Sequence, residues 1–179
     1  MSMATATDDT LLGIYLNDHL AGAVGGADLA KRLADADSHL VGGQVLNRLA
    51  AEIEEDRQTL LDIMAALEVP VRRYKTWAAW AVEKVGRLKF NGRLLSRSPL
   101  SKLIELEAMR LGVEGKAAGW RTLRARAEHD VRLDEDRLDE LIDRATRQID
   151  ALERLRVRAA AEAFGGDVEP VEIVREGDT

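Results

Sequence analysis

Four polar side chains, His19, Asp56, Glu114 and Gln148, each interrupt a heptad-like apolar seam near the middle of a long segment. Their spacing places one imidazole, two carboxylates and one carboxamide at the middle of four helices. Nitrogen and oxygen donors of this kind suit a single divalent ion such as Fe, Mn or Zn. Glu107, on the same seam as Glu114, is a fifth candidate ligand. The competing expectation is a hydrogen-bonded polar layer that fixes helix register and satisfies itself in the core. Counting residues supports a shared depth. His19 and Asp56 are nearly equidistant from the turn near Asp37, and Glu114 and Gln148 from the turn near Val131, so each pair is expected to face its partner across its own hairpin.

The elements that must position these residues can be read from the spacing. From Asp9 to Ala34, Leu12, Leu16, His19, Ala23, Gly26, Ala30 and Leu33 follow one another at intervals of three and four, the seam of a packed helix. Asp8 and Asp9 are placed to cap its start. The cluster from Asp35 to Ser38 supplies a turn and the next cap. A second helix then carries Leu46, Leu49, Ile53, Asp56, Leu60, Ile63 and Leu67 and is closed by Pro70. Ser98 followed by Pro99 is a strong start signal for a third helix, which runs to about Glu128. Its seam can be read through Leu100, Ile104, Glu107, Leu111, Glu114 and Ala118, while Leu103, Leu106, Val113, Ala117 and Trp120 form a second apolar stripe. Asp134 caps a fourth helix with a seam of Leu138, Leu141, Ala145, Gln148, Leu152, Leu155 and Ala159, ended by Gly165 and Gly166. Residues 1–166 are expected to form one helical domain and 167–179 an acidic, mobile tail. The long connection between the second and third helices calls for a crossover, with a helix of its own from about Arg72 to Leu88 and a break at Phe90, Asn91 and Gly92.

This all-α pattern of two helical hairpins joined by a long crossover, with polar residues at mid-helix, resembles the ferritin-like superfamily. Members that bind two irons carry one Glu on each of two helices and a Glu-x-x-His on each of the other two. By that resemblance, Ile53 and Asp56 stand where the second helix has Glu and His, and Ala145 and Gln148 where the fourth helix has them. His19 and Glu114 stand in the places of the two single Glu residues. Two of the six positions are apolar and three are changed in type, so the likeness is to a bacterial branch that lacks the full di-iron set. It implies an antiparallel four-helix bundle with a non-catalytic binding or interaction role and no cofactor, with one Fe, Mn or Zn ion as the alternative.

Composition agrees with long helices: 32% of the 179 residues are charged and 4% aromatic, and there are three prolines. The absence of cysteine excludes disulfides, thiolate metal sites and cysteine nucleophiles. No basic leader or long uncharged apolar run is present, so a cytoplasmic protein without an integral membrane segment is expected.

Charge is segregated. Nine Lys or Arg and a single acid, Glu83, lie between Arg72 and Lys102, in a chain whose net charge is -6. Arg72, Arg73, Lys75, Lys84 and Arg87, with Trp80, form a candidate basic surface for anionic lipid. Nucleic acid is disfavoured as a partner because the chain as a whole is acidic. The alternative pairs these cations with acidic helix faces or with a second subunit, and a homodimer is expected. Gly22, Gly25 and Gly26, with Gly42 and Gly43, lack the strand-loop-helix setting of a phosphate loop and are expected to permit close helix contact. His39 and His129 are placed in turns.

Overall fold

The computed structural model describes residues 3–36, 42–72 and 98–165, which form four α-helices: α1 (Met3–Ala36), α2 (Gly43–Ala66), α3 (Pro99–Ala127) and α4 (Glu135–Phe164). Each follows from its local chemistry. Ser98 is extended and its hydroxyl accepts from Ser101 N at 3.2 Å, with Pro99 in the first turn of α3, where its missing N–H is not needed. Asp134 likewise accepts from Arg137 N at 3.1 Å to start α4. Gly165 ends α4 in the left-handed region at φ 73°; a Cβ would be unfavourable there.

The end of α2 uses the same geometry without a glycine. Glu68 takes φ 57°, while Glu68 N donates to Ala65 O at 3.0 Å and Val69 N to Met64 O at 2.8 Å. These paired bonds satisfy the last carbonyls of the helix. Pro70 follows, as expected. Buried Asn17 of α1 then holds the departing chain: its amide nitrogen donates to Gly13 O at 2.8 Å and Pro70 O at 3.1 Å, and its oxygen accepts from Arg72 N at 2.7 Å.

Two helix starts differ from expectation. α1 begins at Met3, so Asp8 and Asp9 lie within the helix rather than ahead of it. α2 begins after Gly42 with no side-chain cap, and Asp35 belongs to the end of α1.

The apolar seams of α2 and α4 are buried nearly as spaced. Leu46, Leu49, Ile53, Leu60 and Leu67 face Leu138, Leu141, Ala145, Leu152, Leu155 and Ala159 across one core. On α3 the second stripe is the buried one: Leu103, Leu106, Val113, Ala117 and Trp120 are in the core with Met109 and Leu123, whereas Leu100 and Leu111 are exposed.

Cross-helix contacts fix the topology. Tyr15 Oη donates to Thr122 Oγ1 at 3.1 Å and His19 lies against Gly119, so α1 and α3 run antiparallel. Glu52 meets Gln148, Glu55 meets Arg144 and Thr59 meets Arg137, so α2 and α4 also run antiparallel. Both hairpins, α1/α2 and α3/α4, are antiparallel too. Consequently α2 ends beside the α3–α4 turn, where Arg132 Nη1 donates to Leu67 O at 3.4 Å, while α3 begins beside the end of α4, where Lys102 pairs with Glu162 at 3.7 Å. The α2–α3 connection therefore joins opposite ends of the bundle. The crossover helix expected over 72–88, the break at Phe90 to Gly92 and the tail beyond Gly165 lie outside the described residues, apart from Arg72. No helix among the described residues is long and apolar enough to cross a membrane.

Candidate functional site

At mid-bundle, α2, α3 and α4 converge on Asp56, whose side chain is 2% exposed. Lys116 Nζ of α3 donates to Asp56 Oδ2 and, at 2.5 Å, to Gln148 Oε1. Gln148, itself buried, turns its amide nitrogen to Glu52 Oε2 at 3.0 Å and Asp56 Oδ2 at 3.3 Å. Arg144 Nη2 stands 2.5 Å from Asp56 Oδ1. That contact is out of hydrogen-bond alignment, so charge alone holds the oxygen. Arg144 Nη1 also donates to Glu55 Oε2 at 3.0 Å. Burial lowers the Lys116 pKa, and the adjacent Asp56 opposes that shift. The long aliphatic stem of Lys116 carries its ammonium from α3 to Asp56 of α2 and Gln148 of α4.

Of the five candidate metal ligands, the structure brings only Asp56 and Gln148 together. Glu114 lies half-buried beside Arg110 at 3.6 Å, and exposed Glu107 is paired with Arg156 at 3.8 Å. The reason is angular: Lys116 is two residues beyond Glu114, about 200° around the helix, so burying one turns the other to solvent. His19 packs its ring edge-on to Tyr15, with centroids 4.4 Å apart, and against Gly119. Burial lowers its pKa, with Asp18 acting in the opposite direction. Both Asp56 oxygens already face cations, and among the described residues no group of three or more His, Asp or Glu is placed to hold a metal ion. Asp56 and Gln148 thus sit in a hydrogen-bonded polar layer with Lys116, apart from Glu107, Glu114 and His19.

Beside this layer, next to the His19–Gly119 contact, residues of α1 and α3 line opposite sides of an opening. They leave a cleft of about 1250 Å³ with α2 as its floor. Leu20 and Leu29 are buried in α1, but no residue from Ala21 to Asp28 is. The walls in this stretch are Gly22, Gly25 and Gly26 of α1 and Gly112 and Gly115 of α3, and a Cβ added at any of the five would meet nothing within 4 Å among the described residues. The α1 glycines thus border open space instead of permitting the close helix contact expected of them. Ile53, Leu60, Met109, Val113 and Leu123 supply apolar surface deeper in, and Asp56, Lys116 and His19 supply the polar part.

Trp120 also lines the cleft. It is 3% exposed, yet its indole nitrogen has no hydrogen-bond partner among the described residues. The sequence spacing places Trp120 on an apolar stripe, where it is buried, and gives no role to Lys116, Arg144 or Asn17. Lys116 could have been found from its place beside Val113, Ala117 and Trp120 on the buried stripe. Of the proposed basic surface only Arg72 is described, its N–H held by Asn17; Arg73, Lys75, Trp80, Lys84 and Arg87 lie outside the described residues. His129 is in the α3–α4 turn, as expected.

The fold and site define a four-helix all-α bundle with a buried ionic layer and a glycine-walled cleft. No protein-family model, curated protein or solved structure matches the chain.

Proposed function

We propose that this chain is a non-catalytic binding protein, a ferritin-like bundle whose α1/α3 cleft receives an elongated, mainly apolar guest. The topology supports the family reading, because one end-to-end connection between two antiparallel hairpins is the ferritin-like arrangement. The cleft supports the binding role. A glycine inside a helix forfeits about 1 kcal/mol relative to alanine, and five of them open onto one cleft that no described residue fills. That sacrifice is explained by a molecule that occupies the space, and not by helix contact. The ionic layer has a structural part in this reading: it closes the inner edge of the cleft and holds α2, α3 and α4 in register.

Filling the cleft tests the proposal. Gly22→Leu with Gly112→Leu should abolish binding of an uncharged solvatochromic dye such as Nile red while leaving the thermal midpoint unchanged or raised, since both side chains enter open space. Undiminished dye binding in a folded double variant would sink the reading, as would collapse of the fold through overpacking.

A further inference from the structure

α1 is held to the bundle at two places with a gap between them. Before the gap, Leu16, Asn17 and Leu20 are buried, the Asn17 side chain bonds Gly13 O, Pro70 O and Arg72 N, and Tyr15 Oη donates to Thr122 Oγ1. After it, Leu29, Ala30, Leu33 and Ala34 are buried. Residues 21–28, about two turns of helix, bury no side chain, and only Ala23 and Ala27 touch the core. Asp28 adds a charge interaction with Arg57 of α2. Gly22, Gly25 and Gly26 lie in this stretch, and each glycine lowers the weight of the helical state about fivefold relative to alanine. Tertiary packing supplies most of a helix's stability in a protein, so here both sources are reduced together. The facing wall of α3 is different. It also carries glycines, Gly112 and Gly115, yet it is pinned by buried Met109, Val113 and Ala117. Few buried apolar contacts mark the parts of a fold that open locally, and of the two walls only that of α1 lacks them.

We infer that residues 21–28 of α1 are the movable wall of the cleft: this stretch opens while the anchored parts of α1 and the α3 wall stay folded, and a guest in the cleft holds it closed. The opening follows from the helix itself, whereas closure by a guest rests on the cleft being a binding site, as proposed above. The α1 glycines then leave room for the guest and also set how readily the wall gives way to admit it.

Amide hydrogen exchange of the full chain, read residue by residue by NMR, tests this. Without a guest, the amides of residues 22–28 should exchange about tenfold or more faster, after correction for intrinsic rates, than those of residues 14–20 and 31–35 and than those of residues 109–117 on α3. Gly25→Ala with Gly26→Ala should slow exchange over 22–28 by about 25-fold, two steps of about fivefold, and leave 109–117 unchanged. Nile red at about ten times its Kd should slow the same α1 amides about tenfold, because the opened wall releases the dye. Equal protection along the whole of α1, or faster exchange over 109–117 than over 22–28, overturns the movable wall; both are read in the wild-type chain and do not depend on a variant. Fast exchange over 22–28 that bound Nile red leaves unchanged, with binding followed separately by its fluorescence, overturns closure by the guest. If Nile red itself fails to bind, the cleft reading fails and closure falls with it, while fast exchange confined to 22–28 would still bear out the opening.

Discussion

The two interfaces between the hairpins, α2/α4 and α1/α3, solve one problem in opposite ways. Across α2/α4 the space is bridged by long polar side chains: Arg144 reaches Glu55 and Asp56, Gln148 reaches Glu52, and Arg137 reaches Thr59 at 3.4 Å. Across α1/α3 the corresponding positions are glycines, and a cleft remains. Side-chain length at a few positions thus sets how much space is left between two pairs of helices with the same antiparallel arrangement, about 1250 Å³ along α1/α3 and about 290 Å³ beside Thr59 and Arg137 on α2/α4.

The largest expected effect falls on the ionic layer that α2, α3 and α4 share. Lys116→Met leaves Asp56 buried with one cation fewer and should lower stability by about 3 kcal/mol, as when one partner is removed from a buried ion pair. Adding Asp56→Leu should recover part of the loss. A denaturant midpoint for Lys116→Met equal to wild type would show that the layer contributes nothing and erase the contrast.

Alanine on the open side should act in the opposite direction. Gly22→Ala and Gly112→Ala should each raise stability by up to about 1 kcal/mol, because helix propensity improves and no atom of the described residues stands within 4 Å of the new Cβ. Thermal unfolding checks this, and a loss at either position would mean that the cleft is closed in solution.

Where the cleft narrows, the same substitution meets an obstacle. A Cβ at position 119 would lie 3.1 Å from the His19 ring. Gly119→Ala should therefore gain less than the open glycines, with the shortfall of about 0.5 kcal/mol or more restored in a His19→Ala background. A double-mutant cycle with zero coupling would remove His19 from the contact.

The smallest effect is one of pH. Burial holds the folded-state pKa of His19 below its ordinary 6.5. Above 6.5 the ring is neutral in both folded and unfolded chains. As pH falls from 6.5 through the folded-state pKa, the unfolded chain binds the proton first and stability drops. The difference between wild type and His19→Ala should show this slope, and parallel pH profiles would contradict it.

The contrast also explains what could be read from the sequence. The seams of α2 and α4 were legible because a single apolar stripe runs through each, with Asp56 and Gln148 in register. On α3 two stripes compete, and the one through Leu100, Glu107 and Leu111 lost to that through Leu106, Val113 and Trp120. The choice depends on packing against α1 and α4, which spacing on one helix does not encode. Lys116 was hidden for a related reason, since a lysine at a stripe's edge reads as solvated until the depth of its stem is known. The α1 glycines were visible, but an absent side chain is required equally by close contact and by a gap. Only the separation of α1 from α3 distinguishes them.

Because the cleft has one main wall in each hairpin, its shape is an assembly property. A guest touching both α1 and α3 acts as an added tether between two halves of the molecule that share a packed core, the ionic layer and one covalent link running end to end. Cutting that link would turn docking of the halves into a bimolecular event, relieved of the high local concentration that the chain imposes. Guest affinity and hairpin association would then be thermodynamically linked, each strengthening the other.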